Sequence, residues 1–305
     1  MRFLLSLTND DNDYQIEQTS AAQQAARRLG VDLEIVYARN EGIVQSQQLL
    51  SSIQSTTAPR PDAIIFEPAG STAHPQVARA AAAAGIGVVV LNRDADYIGE
   101  LRRDLHMPVF AITSNHEEIG RIQGQQLSAV LPAGGIVLYI QGPSESLAAK
   151  QRYTGTLQTK SDGAQLRIMK AHWTETSAYN TVSSWLRLST SRQAQIAAVC
   201  GQDDSMAMGA RKALEECHDL RDLCAKIPFL GCDGLPKTGQ QWVHRNLLTG
   251  TIVIPPNADM AIEMMVRAIA SGALPPERTY TTAKSFPAIE VLAKLSSAHA
   301  RAASR

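Results

Sequence analysis

Val88-Val89-Val90-Leu91-Asn92-Arg93 is the stretch that decides the fold. A run of branched apolar residues suits a strand covered on both faces, and here it stops abruptly at a polar pair. Working outward, five more short apolar runs break off in the same manner. These are 3–7 before Thr8-Asn9-Asp10-Asp11, 63–66 before Glu67-Pro68 and 137–140 before Gln141-Gly142-Pro143-Ser144. The others are 196–200 before Gly201-Gln202-Asp203-Asp204 and 228–231 before Cys232-Asp233-Gly234. Helix-like segments alternate with them at 14–29, 43–55, 75–84, 117–131, 147–160, 175–188, 205–217, 236–248 and 259–270. That alternation predicts an α/β fold with doubly wound parallel sheets and helices on both faces. The carboxyl ends of parallel strands open onto one crevice, so clusters far apart in sequence converge in space. The chain therefore reads as a binder of a small polar molecule.

Boundary signals agree with this layout. Gly30 and Gly85 stand where left-handed C-terminal caps are expected, and Ser114 or Asn115 precedes the acidic pair Glu117-Glu118 as an N-cap. At 305 residues the chain exceeds what one hydrophobic core usually supports, so two domains are expected. The βα series gives way near residues 111–114 and restarts at Gly135, while the extended segments 251–254 and 280–285 bracket a single helix. This predicts an N-terminal lobe of 1–113 plus 255–283 and a C-terminal lobe of 114–254 plus 284–305, joined by a three-strand hinge beside a cleft.

Composition excludes several function classes. Lys plus Arg and Asp plus Glu number 29 each, so nothing attracts the chain to a phosphate backbone or an anionic membrane, and no nucleic-acid partner is expected. No apolar run approaches the ~20 residues needed to cross a bilayer, so the chain is not expected to be membrane-embedded. Met1-Arg2 leads into a five-residue apolar run, shorter than a secretory leader's core of about 7 to 15 residues. The expectation is a cytoplasmic protein if Met1 is the native start. Cys200 and Cys232 end strand-like runs as buried hydrophobes; for Cys217 and Cys224 a bridge and two free thiols both stay open. No Cys-x-x-Cys pair exists and the seven histidines are scattered, so no metal site is expected.

Catalysis and cofactors are disfavoured on the same residues. The first βα turn, Thr8-Asn9-Asp10-Asp11-Asn12-Asp13, is acidic and free of glycine, which is wrong for a pyrophosphate. It also lacks the turn glycine and distal Glu of an EF-hand. Gly85-x-Gly87 precedes its strand instead of following it, and Gly142-Pro143-Ser144-Glu145-Ser146 lacks the closing glycine of a nucleophile elbow. No cofactor and no enzymatic activity are expected.

Five motifs, in order, carry a resemblance to a known family. They are Val88-Val89-Val90-Leu91-Asn92-Arg93, Ser114-Asn115-His116-Glu117-Glu118-Ile119-Gly120, and Lys150-Gln151-Arg152-Tyr153-Thr154-Gly155. Asp203-Asp204-Ser205-Met206-Ala207-Met208-Gly209-Ala210 and Gly231-Cys232-Asp233-Gly234 complete the set. Together they make the chain resemble the type I periplasmic sugar-binding proteins of the ribose-binding-like branch, which also supplies the effector domains of LacI-type repressors. The resemblance implies a periplasmic location if a leader has been trimmed. It implies that Asn92 and Arg93 of one lobe face Arg152, Asp203 and Asp233 of the other across a sugar, with Trp173 and Tyr14 as stacking aromatics. A second group comprises Asn12, Gln15, Glu67 and Ile254.

The chemistry of these residue types suits a polyol independently. Each hydroxyl both donates and accepts; a guanidinium gives a planar pair of hydrogen bonds, a carboxylate accepts a pair, and an aromatic face suits the C–H edges of a sugar ring. Structural roles compete: Asp203 and Asp233 as caps or turn residues, Asp204 as the cap of the helix from Ser205, Trp173 as a core residue, Tyr14 as helix packing. Two departures stand out. Asp203 replaces a frequent Asn, which favours a more donor-rich ligand, and Ile254 stands where a polar residue such as Gln is common. With the first strand starting at Phe3, no helix-turn-helix is expected ahead of it. The expected function is capture of a monosaccharide or polyol by hinge closure for an ABC permease; the alternative is a sugar sensor that signals to a kinase or regulator.

Overall fold

The computed structural model describes residues 1–70, 72–188 and 195–295. The chain divides into two compact units, one of Met1–Ser114 with Pro256–Thr281 and the other of Asn115–Pro255 with Thr282–Arg305, so it passes between them three times.

The first unit opens with β1 (Arg2–Leu7), α1 (Asp13–Leu29), β2 (Asp32–Tyr37), α2 (Gly42–Ile53) and β3 (Ala63–Phe66). It continues with α3 (Pro75–Ala83), β4 (Gly87–Leu91), α4 (Ile98–Leu105) and β5 (Val109–Ser114). The second unit follows with α5 (His116–Val130), β6 (Gly135–Gln141), α6 (Leu147–Thr159), β7 (Ala164–Lys170) and α7 (Glu175–Leu186). After it come β8 (Ile196–Gly201), α8 (Asp204–Glu216), α9 (Arg221–Cys224), β9 (Phe229–Leu230), α10 (Gly239–His244) and β10 (Thr251–Val253). The chain then returns to the first unit for α11 (Ala258–Ser271) and β11 (Arg278–Thr281), and to the second for β12 (Lys284–Phe286).

The first sheet has the order β11-β5-β4-β3-β1-β2 and every pairing in it is parallel. Alternate residues of its strands feed two separate cores, as the strand period of two requires. Leu4, Ile64, Phe66, Val88 and Val90 pack with the helices α2, α3 and α4 on one face. Phe3, Leu5, Ile65, Val89, Leu91 and Ile112 pack with α1 and α11 on the other. The second sheet, β7-β6-β8-β9, is likewise parallel and double-faced, with Leu138 and Ile140 in one core and Val137 and Tyr139 in the other. β10 and β12 form a small antiparallel pair. The α/β class with doubly wound parallel sheets is thus observed in both units.

Glycines set the spacing of the second unit's helices. A Cβ on Gly155 in α6 would lie 1.9 Å from the Glu117 carbonyl oxygen, and one on Gly120 in α5 would lie 2.0 Å from the Arg152 carbonyl oxygen. These two helices therefore touch backbone to backbone, which places the start of α6 and its Arg152.

Several expectations change. β2, β7 and α4 were not foreseen, and the helix expected over 236–248 is only Gly239–His244. Its start is delayed by the turn at Asp233 and Gly234 (φ 100° and 55°), and its end is fixed by Asn246 at φ 58°. The N-cap of α8 is Asp203, whose side chain accepts from the Met206 N–H, and Asp204 is the first helical residue. Gly30 and Gly85 do take the left-handed conformation, and Asn115 caps α5 by accepting from Glu118. Cys217 and Cys224 are free thiols, as are Cys200 and Cys232. Among the described residues no helix is long and apolar enough to cross a membrane, and no cluster of His, Cys, Asp or Glu is arranged to hold a metal ion.

Candidate functional site

In the first unit the polar residues gather at the carboxyl ends of β1, β3 and β4. Asn12 is the N-cap of α1: its Oδ1 accepts from the N–H groups of Tyr14 at 2.9 Å and Gln15 at 3.4 Å. This fixes where α1 begins and tucks Tyr14 and Gln15 into buried positions. Asn92 follows β4 in the left-handed conformation, φ 54°, which Asn tolerates better than most residues. Its Oδ1 accepts from Asn257 Nδ2 at 2.8 Å, and that same amide donates to the Ile112 carbonyl at 3.1 Å. Asn257 in turn is clasped by Gln18: Gln18 Nε2 donates to Asn257 Oδ1 at 2.6 Å, and Gln18 Oε1 accepts from the N–H groups of Asn257 and Ala258. Both Gln18 and Asn257 are wholly buried. The knot orients Asn92 so that its remaining amide group faces Glu67.

Glu67 lies at the end of β3. It accepts from Gln15 Nε2 at 3.0 Å, and the amides of Asn92 and Gln18 also donate toward it. Burial raises its carboxyl above the ordinary value, against those hydrogen bonds and the field of Arg93. Arg93 is half-buried, its Nη1 is enclosed without a hydrogen-bond partner, and desolvation lowers its pKa. The backbone beneath Glu67 is anchored by Gln45, whose Nε2 donates to the Glu67 carbonyl at 2.8 Å and whose Oε1 accepts from the Ala69 N–H at 2.7 Å. Because that oxygen must accept, His74 Nε2, 2.7 Å away, is the protonated nitrogen.

In the second unit the set is built around Arg152. It is 7% exposed, held in the first half of α6. Its Nη1 donates to the Gln202 carbonyl and lies 3.9 Å from Asp233 Oδ1, and its guanidinium sits 5.6 Å from the centre of the Trp173 ring. Burial works against the charge, but the neighbouring acidic groups, Asp233 and Asp203 among them, outweigh it and hold the pKa above the usual value. Arg152 Nε is enclosed with no hydrogen-bond partner. Gln202 fixes the surroundings: its Nε2 donates to Tyr139 Oη at 2.8 Å and to the Ala149 carbonyl at 2.9 Å, and its Oε1 accepts from the Gly142 N–H at 3.0 Å. Trp173 packs on Gly142, where a Cβ would fall 2.3 Å from the ring.

Asp203 caps α8 through Oδ1 (2.5 Å to Met206 N) and is buried. Asp233 sits at φ 100°, its N–H donating to the Ile252 carbonyl and its carbonyl accepting from the Ile254 N–H at 2.9 Å. Ile254 is buried and contributes that backbone contact, with an apolar side chain that neither donates nor accepts. Asp204 serves the scaffold: its Oδ2 accepts from the Gly234 N–H at 2.7 Å and its Oδ1 from Thr251 Oγ1 at 2.5 Å, pinning the Asp233 turn to α8.

The structure thus brings Tyr14, Gln15, Glu67, Asn92 and Arg93 to one end of the first sheet, and Arg152, Trp173, Asp203 and Asp233 together in the second unit. Among the eight described non-glycine residues at positive φ, three are Asn92, Trp173 and Asp233. Strain of this kind costs about 1–3 kcal/mol per residue and concentrates where side chains are aimed at a ligand. Sequence reading gave no role to the orienting amides Gln18, Gln45, Gln202 and Asn257: the first two sit within helices, Gln202 lies in the cluster after β8, and Asn257 stands just ahead of α11.

The sequence matches the periplasmic binding protein domain over residues 3–273. It is 31% identical over 193 residues to a putative rhizopine-binding protein of Rhizobium meliloti, a match that spans 61% of this chain and 58% of that protein. It is 24% identical over 272 residues to the D-allose-binding periplasmic protein of Escherichia coli (strain K12), covering 87% of this chain and 83% of that one. In fold it is similar to an ABC transporter periplasmic solute binding protein from Actinobacillus succinogenes 130z with bound D-allose. The TM-score is 0.79 at 22% identity, over 96% of this chain and 99% of that one. With the family match running through nearly all of both parallel-sheet units, the chain belongs to the periplasmic binding protein family, type I.

Proposed function

We propose that the chain is a solute-binding protein that captures a monosaccharide or polyol and makes or breaks no bonds in it. The observation that carries this reading is the composition of the two polar sets. Each offers a guanidinium with an enclosed nitrogen that has no acceptor: Arg93 Nη1 in the field of Glu67, and Arg152 Nε near Asp233 and the half-buried Trp173 ring. Hydroxyls of a sugar supply both the acceptors and the donors such groups lack. Binding by Asn92, Arg93 and Tyr14 of the first unit and by Arg152, Trp173, Asp203 and Asp233 of the second holds the units around one solute. The three chain crossings then serve as a hinge.

The buried thiols among the described residues are not activated nucleophiles. Burial raises the thiols of Cys200 and Cys232 and pushes that of Cys224 up to about 11, so all three stay protonated at neutral pH. The names of the relatives support a periplasmic location and delivery of the solute to an ABC permease.

A thermal-shift screen against monosaccharides and polyols tests the reading. A binder at a hundredfold excess over its Kd adds about 2.7 kcal/mol to stability and raises the melting temperature. A panel in which no sugar or polyol shifts the transition contradicts it.

A further inference from the structure

We propose that the solute carries a protonated amine among its hydroxyls and that Glu67 is its counter-ion; this rests on the solute-binding reading above. Buried carboxylates are ordinarily paired with a cation, because neutral donors replace only part of the lost hydration. Glu67 is half-buried and feels the charge of Arg93 without forming an ion pair with it. Its partners are the neutral amides of Gln15, Asn92 and Gln18. The ion pairs among the described residues leave it out.

The acceptors around it exceed what a hydroxyl can satisfy. Gln15 turns its Nε2 to the carboxylate, which fixes the opposite end of the amide as oxygen. That Oε1 is enclosed without a donor on a side chain only 5% exposed. A hydroxyl brings one proton to this group of acceptors, whereas an ammonium brings three and a full charge. Beside it, Arg93 Nη1 seeks an acceptor, which a neighbouring hydroxyl oxygen provides.

Charge across the candidate residues points the same way. Among the candidate residues the carboxylates Glu67, Asp203 and Asp233 outnumber the guanidiniums Arg93 and Arg152 by one. The stretch after β1, the strand next to β3 in the sheet, adds Asp10 and Asp11 in its loop and Asp13 at the start of α1, offset in part by Arg39 in the adjoining loop after β2. An anionic sugar acid is disfavoured by the same count.

Titration calorimetry on the full chain with amino-deoxy hexoses and amino-deoxy cyclitols, each beside its hydroxyl parent, tests the proposal. The expected result is an amine bound about tenfold or more tighter than its parent. In E67Q, which keeps the shape and one acceptor oxygen while removing the charge, affinity for the amine falls further than affinity for the parent, so the preference collapses. A parent or a sugar acid that binds as well as or better than the amine overturns the proposal and leaves the solute-binding reading standing. An amine preference that survives in E67Q removes Glu67 from the role. Binding by neither class overturns the solute-binding reading together with the proposal.

Discussion

Arg152→Ala is expected to weaken solute binding by about 2 kcal/mol or more, roughly 30-fold in Kd, with a further loss of stability in the second unit. Both effects follow from where the guanidinium sits. It is enclosed by the Gln202 carbonyl, Asp233 and the Trp173 ring, and it is the cation that offsets the buried Asp203 and the half-buried Asp233. Removing it deletes the planar donor pair that a hydroxyl or ring oxygen would accept, and it leaves two carboxylates near one another without compensation. Arg152→Lys restores the charge without the planar fork and should recover stability better than affinity. Titration calorimetry beside urea denaturation separates the two effects. An unchanged Kd in a folded Arg152→Ala variant would assign the residue to the scaffold alone.

The second large effect is on folding. Gly155→Val should destabilise the second unit by about 3 kcal/mol or more, at the upper end of what overpacking costs. Its new Cβ would begin 1.9 Å from the Glu117 carbonyl oxygen, a backbone atom in the middle of a helix pair that cannot swing aside. Relief requires α5 and α6 to separate, which also lifts Gly120 off the Arg152 backbone and moves the guanidinium. A urea midpoint matching the wild type would show that the two helices do not touch as described.

How much of this was legible in the sequence depended on burial. The strands that announced themselves are interior ones such as β3 and β4, where both faces are covered and the residues read as unbroken apolar runs. β2 and β7 escaped because each is a sheet edge: Asp32–Tyr37 is exposed or half-buried throughout and Ala164–Lys170 mixes exposed and buried positions, so charged residues interrupt the run. α4 escaped because it is short and no side chain caps it. The polar clusters at strand ends were visible as composition breaks, and the family resemblance singled out Asn92, Arg93, Asp203 and Asp233 within them.

The division of labour inside a cluster was not visible. In Asp203-Asp204 the first residue caps α8 and the second ties Gly234 and Thr251 to it, and only the three-dimensional position of the Gly234 turn decides which is which. The same holds for Gln18 and Asn257, 239 residues apart, whose pairing orients Asn92. No local pattern marks a contact of that range.

Small-angle scattering from the full chain, recorded without solute and at saturation with the tightest binder from the screen, is the most direct measurement. Side chains of both units clasping one guest require a smaller radius of gyration on binding. A saturated protein whose radius stays at its unliganded value would contradict closure.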